Sequence, residues 1–152
     1  MSAKTSHTDF HGLRGYYFEE LSVGMEEVFS RTITDTDIKL FSGVSGDTNP
    51  MHLNEEYAKS TPFGGCIVYG MLTASLISAV IGTKLPGPGC IYMNQSLKFT
   101  APVRVGDTVY AVVRVKELFP DKKRALMDTK CYVHDTVVID GEALIKVPSK
   151  PA

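Results

Sequence analysis

Y-G-M-L-T-A-S-L-I-S-A-V-I-G, residues 69–82, is apolar on more than one face of any helix it forms. Met71, Leu72, Leu76, Ile77, Val80 and Ile81 are spread around the helical wheel. A helix that is apolar nearly all round must be wrapped by other elements. The stretch lies inside a longer one, 60–83, that carries no charged side chain and would be long enough to cross a bilayer. However, Pro62, Gly64 and Gly65 open that segment, and Gly70 and Gly82 shorten its helical part. The segment therefore reads as the buried centre of a soluble domain, and no membrane span is predicted.

The wrapping is expected from the C-terminal side. After the P-G-P-G loop at 86–89, strand signals dominate, with strands predicted near 90–100, 107–118, 124–133 and 137–147. Val109, Ala111, Val113 and Val115 alternate with outward positions, and Leu126, Asp128, Lys130 and Tyr132 show mixed alternation. Pro120-Asp121 and His134-Asp135-Thr136 read as turns, and Asp140-Gly141 as a bulge within the last strand. Upstream, Glu26 to Thr34 is a plausible strand. A helix then starts at a Thr34 cap, with Asp37 three residues on and Ile33 and Ile38 spaced as a hydrophobic staple. Ile38, Phe41 and Val44 continue its stripe toward a stop near Ser45-Gly46. Residues 47–53 read as a turn, because Pro50 pushes Asn49 out of the α region. Asn54 can cap a short second helix. The sum is one antiparallel sheet curled around one buried helix, an α+β domain.

The 152 residues suit one domain, and 43% hydrophobic with 22% charged residues is ordinary for a globular chain. A net charge of -1 with no basic run argues against nucleic acid as the main partner. Cys66, Cys90 and Cys131 cannot all pair within one chain, which points to reduced thiols and a cytoplasmic location. Residues 1–15 form a polar N-terminal extension without the apolar stretch of a secretory signal, and 16–152 the domain proper. Phe10 and Leu13 could pack that extension on the body. His7 and His11 have helical spacing, but a useful metal site needs more ligands. No metal site is expected.

The segment G-D-T-N-P-M-H, 46–52, carries the chemistry. Asp47 and His52 flank a rigid Asn-Pro turn that can aim a carboxylate and an imidazole at one cavity. Such a pair supplies acid and base at neutral pH. The start of the apolar helix, at Tyr69-Gly70-Met71, offers free backbone N–H groups to a developing oxyanion. Gly70 would let a substrate approach that backbone closely. On spacing alone the signal is weak: Asp in a turn is usually just a turn former, and His near Pro usually a surface or core residue.

The G-D-T-N-P-M-H core, followed by Ala58 and F-G-G-C-I-V-Y-G-M-L at 63–72, resembles the signature of MaoC-like (R)-specific enoyl-thioester hydratases. The likeness runs from Y-F-E-E-L-S-V-G at 17–24 to G-E-A-L-I-K-V-P at 141–148 and includes G-T-K-L-P-G-P-G-C-I-Y-M-N-Q-S-L-K-F at 82–99. The resemblance implies the hot-dog fold, a dimer with the acyl tunnel at the subunit interface, and Asp47 and His52 as the catalytic pair. It further implies that the Gly70 N–H binds the thioester carbonyl. Ser78 would help hold the catalytic water or its carboxylate; otherwise Ser78 is a helix serine bonded to its own backbone. No cofactor is needed, because the thioester itself activates the alkene. Many relatives have His-Gly-Met-Leu where this chain has Tyr69-Gly70-Met71-Leu72.

The implied reaction is (R)-specific hydration of trans-2-enoyl-CoA, or the reverse dehydration, in fatty-acid metabolism. Three alternatives stay open. They are a 3-hydroxyacyl dehydratase acting on acyl carrier protein (acyl-ACP), a hot-dog thioesterase, and a non-catalytic acyl-binding module. A thioesterase would more commonly place its carboxylate on or beside the central helix, where 60–83 has none. Lys84, Lys98, Arg104 and Lys122 are candidates to meet carrier phosphate, although scattered surface charge usually only solvates.

Overall fold

The computed structural model describes residues 12–152. The expectation for His7, His11 and Phe10 lies outside the described residues. Leu13 is 70% exposed and does not pack on the body. The chain joins the body at Gly15 and Tyr16, whose N–H groups donate to the carbonyls of Pro88 and Pro86.

Strand β1 (Glu26–Thr32) leads into helix α1 (Asp35–Ser45), the short helices α2 (Pro50–Leu53) and α3 (Glu55–Lys59), and the long helix α4 (Gly70–Thr83). Strands β2 (Ile91–Gln95), β3 (Lys98–Phe99), β4 (Thr108–Phe119), β5 (Arg124–Val133) and β6 (Thr136–Lys146) follow. The sheet is antiparallel in the order β1-β4-β5-β6-β2, with β3 also paired to β6. Helix α4 packs on β4, β1 and β5. Its Leu76, Ile77, Val80 and Ile81 meet a wall made by Val109, Ala111, Val113 and Val115, each of which is fully buried. No helix among the described residues is long and apolar enough to cross a membrane.

Helix α1 begins as its sequence requires. The Thr34 hydroxyl accepts from the Asp37 N–H, and the Asp37 carboxylate accepts from the Thr34 N–H. Ile33 and Ile38 are both buried, closing the staple. Gly46 ends the helix in the left-handed region at φ 76°. Val44, expected to continue the apolar stripe, is instead 84% exposed.

Several expectations need correction. Residues 47–53 are not all turn: Pro50 occupies the first position of α2, where its missing N–H costs nothing, and the Asn49 side chain caps that helix. The expected strand 90–100 is split at Ser96-Leu97 into β2 and β3. Pairing of β6 with β5 is regular through Asp140-Gly141, so no bulge lies there. Gly141 is glycine because a Cβ would lie 1.9 Å from the Ser96 carbonyl oxygen. The bulge is at Val138, where Cys131 pairs with Ile139 and Tyr132 with Val137. It turns two successive side chains, Val138 and Ile139, inward. In β5 the inner face is Ala125, Met127, Thr129 and Cys131, so Leu126, Asp128, Lys130 and Tyr132 form the outer face.

The wrapping of α4 is also incomplete. Met71 is 58% exposed, and Ser75, Ser78 and Gly82 continue an exposed stripe at helical spacing along the same side. The cysteines are free thiols, with Cys131 buried and Cys66 and Cys90 half-buried.

Burial acts to raise the Asp37 pKa, but the bonds from Thr34 and the Arg31 guanidinium outweigh it and hold the carboxyl below its usual range. A depressed carboxyl stabilises the fold above its unfolded-state pKa and loses that contribution as pH falls through its folded-state pKa. Asp37→Asn should therefore destabilise at neutral pH, with the gap to wild type closing below about pH 4. Thr34→Ala should cost about 1 kcal/mol. Denaturant melts of the three proteins at pH 7 and in acid check both expectations.

Candidate active site

The site forms where the 46–52 turn, the 63–68 loop and the start of α4 converge. Local bonds shape the turn: Ser45 Oγ accepts from the Asp47 N–H at 3.1 Å, and Asp47 Oδ1 accepts from the Asn49 N–H at 3.0 Å. Asn49 Oδ1 then accepts from the Met51 N–H at 3.1 Å and starts α2, which places His52 one turn of helix later.

The His52 imidazole is half-buried, and its Nδ1 lies 2.7 Å from the Ile67 carbonyl oxygen. A carbonyl oxygen can only accept, so Nδ1 carries the hydrogen, and the neutral ring keeps Nε2 as a proton acceptor. The loop that presents Ile67 is held from the far side. Arg104 donates to the Cys66 and Phe63 carbonyls at 3.1 and 2.5 Å, and the Val68 N–H donates to the Val103 carbonyl at 2.7 Å.

His52, Ile67 and Gly70 line an apolar cavity of about 470 Å³, closed by Phe63, Phe99, Val103, Val138 and Ile139. Its size falls in the range of small-molecule sites. The inward pair at the β6 bulge makes one wall. Thr100 fastens that wall to the end of β3: its N–H donates to the Val138 carbonyl at 2.9 Å and its hydroxyl to the Val137 carbonyl at 2.6 Å. On the other side of His52 and Ile67 lies a more polar cleft, lined also by Asp35, Lys39, Glu55 and Arg104. His52 thus stands in the partition between an apolar and a polar space.

Helix α4 has no side-chain cap at Tyr69. The N–H groups of its first turn thus have no intrahelical partner and carry the positive end of the helix dipole. Gly70 has a close neighbour that its sequence did not disclose. A Cβ at this position would lie 2.6 Å from the Phe99 ring, so the close neighbour in this structure is an aromatic side chain.

Of the residues singled out in the sequence, the structure brings His52 and Gly70 to one cavity. Asp47 is exposed in its turn and is joined to the same cluster through its backbone carbonyl, which accepts from the Tyr69 hydroxyl at 2.6 Å. Ser78 lies two turns along α4 on the exposed stripe and does not line the cavity of its own chain. Arg104 spends its guanidinium on the loop, and Lys84 donates to the Val28 carbonyl at 2.7 Å. Phe99 closes the stretch of family likeness at 82–99 but was given no role there, and Thr100 lies just beyond it; the pairing of β3 with the bulged strand reveals both. Among the described residues no cluster of three or more His, Cys, Asp or Glu is arranged to hold a metal ion.

Known proteins resemble this chain in sequence and in shape. Residues 20–141 match the family described as the MaoC like domain. A 3-hydroxybutyryl-CoA dehydratase of Methylorubrum extorquens is 52% identical over 91% of this chain and 88% of its own length. An (R)-specific enoyl-CoA hydratase of Rhodospirillum rubrum is 54% identical, over 89% and 94%. The solved structure of an unliganded R-hydratase from Pseudomonas aeruginosa superposes with a TM-score of 0.83 at 43% identity, covering 90% of this chain and 88% of that one.

Because Phe99 occupies the space beside Gly70, Gly70→Ala must displace its ring. Phe99 is 54% exposed, so its ring can move aside and the loss should be no more than about 1 kcal/mol, the low end for overpacking. Adding Phe99→Ala to the same chain should recover most of that loss. Thermal denaturation of the single and double variants checks it.

Proposed function

The chain belongs to the MaoC-like dehydratase family, and from that premise we propose that it is an (R)-specific enoyl-CoA hydratase, a hydro-lyase that also runs the reverse 3-hydroxyacyl-CoA dehydration. The observation that carries the reading is the position of His52. Its imidazole stands between an apolar cavity fit for an acyl chain and a polar cleft fit for a carrier, beside the uncapped start of α4. CoA is the preferred carrier because both relatives are named for CoA thioesters.

In this proposal Asp47 orients a water over C3 of the enoyl group, and the unprotonated Nε2 of His52 takes its proton as oxygen attacks. The electron pair of the alkene moves onto the thioester oxygen, where the Gly70 N–H stabilises the enolate. The enolate then collapses as the His52 imidazolium returns the same proton to C2. One water supplies both atoms from one side, so the addition is syn. The Nδ1 bond to Ile67 supports this assignment, since it holds the ring in the tautomer that begins as a base.

We further infer a homodimer. Strand β2 is a sheet edge with Ile91 58%, Tyr92 39% and Met93 43% exposed, and α4 leaves its Met71–Ser75–Ser78 stripe uncovered. Unpaired apolar edges are normally covered. A second copy on that stripe would put Ser78 at the interface, and any role of Ser78 in holding water or the carboxylate would arise there.

Crotonyl-CoA tests the chemistry. Loss of the conjugated enoyl absorbance without release of free thiol is expected. Asp47→Asn and His52→Ala should each lower the rate by about 10²–10⁴. Thiol release would mean a thioesterase, and wild-type rates in either variant would end the assignment. For assembly, sedimentation should show a dimer for wild type and a shift toward monomer for Met71→Asp.

A further inference from the structure

We propose that Tyr69 is a positioning residue of this active site, fixing the Asp47 turn and the His52 ring to the start of α4. The inference rests on the hydratase reading above and extends it to a side chain outside the acid–base pair. Four elements meet at Tyr69. It stands at the N-cap position of α4, directly before Gly70. Its ring lies 4.0 Å from the His52 ring, centroid to centroid, at 32°, and 4.8 Å from the Phe41 ring of α1. Its hydroxyl donates to the Asp47 carbonyl at 2.6 Å.

The bonds that Ser45 and Asn49 make with Asp47 are local and set only the shape of the turn. The Tyr69 bond spans 22 residues of sequence and fastens that turn to the central helix. The ring is 2% exposed, so it is held on all sides and has little freedom to let either partner drift. Burial pushes the phenol pKa up, and the nearby Asp47 charge adds to this, so the hydroxyl keeps its proton and remains a donor. The tether acts on Asp47 through the backbone and on His52 through the ring. Tyr69 therefore affects the reaction through both groups without needing to touch substrate.

Tyr69→Phe keeps the ring and deletes the tether, while the exposed turn leaves the Asp47 carbonyl open to water. Small misplacements of reacting groups can cost about 10²-fold. The expected result is a fall in kcat of about 10–100-fold on crotonyl-CoA with KM changed by less than about threefold. In an Asp47→Asn background the same substitution should add less than about twofold, because its effect passes through Asp47. Tyr69→His, which loses both the hydroxyl bond and the phenol ring beside His52, should lower kcat at least as much. All assays are run at a temperature where circular dichroism shows each variant folded. Wild-type kcat in Tyr69→Phe, or an equal further loss in both backgrounds, would overturn the proposal. Full activity of Asp47→Asn and His52→Ala would overturn the hydratase site itself and is scored separately.

Discussion

Everything in this molecule is arranged around the burial of one face of α4 against β4. Val109, Ala111, Val113 and Val115 present a flat row of small branched and methyl side chains with no accessible surface, and Leu76, Ile77, Val80 and Ile81 lie against that wall. Fully burying a side chain of this size stabilises by about 1.5–3 kcal/mol, so the helix axis is held firmly. Its N-terminus is consequently a fixed point in space. Three features start from that point: the Gly70 N–H, the root of Tyr69, and one border of the apolar cavity.

The division of labour around His52 follows from backbone chemistry more than from side-chain charge. The imidazole is oriented by a carbonyl, and that carbonyl belongs to a loop stitched down by Arg104 and by the Val68–Val103 bond. The cation thus acts on the imidazole only through the loop. It occupies carbonyls that a loop of this curvature would otherwise leave pointing inward. The apolar cavity keeps one side of the ring in a medium where hydrogen bonds are strong, while its other side faces a cleft lined by charged residues.

The fold was largely legible because its decisive signals are local. A capping box at Thr34–Asp37, a helix stop at Gly46, and an apolar run at 70–83 flanked by Pro and Gly each act within a few residues. What stayed hidden depends on pairing between distant segments. Ser96 faces Gly141, and the Val138 bulge is defined only against Cys131 and Tyr132 of β5. The same holds for the site. Asp47, His52 and Gly70 are visible as chemistry, whereas the Tyr69 hydroxyl bond to a backbone carbonyl has no motif. A tyrosine at the head of a buried helix does signal that its hydroxyl must find a partner, but not which one. The open stripe of α4 was masked because Met71 and the serines alternate with core residues at one helical period.

The bulge at Val138 has one more implication. Beyond it the inner face of β6 falls on Ile139, Ala143 and Ile145; at Val138 the parity switches, so the strand between the bulge and the 134–135 hairpin keeps the opposite phase. Ordinarily a hairpin tip tolerates changes in length, because an added or lost residue stays at the surface. Here the strand length between tip and bulge decides which side chains form a wall of the apolar cavity. A one-residue deletion in this hairpin would therefore behave as a change of cavity lining.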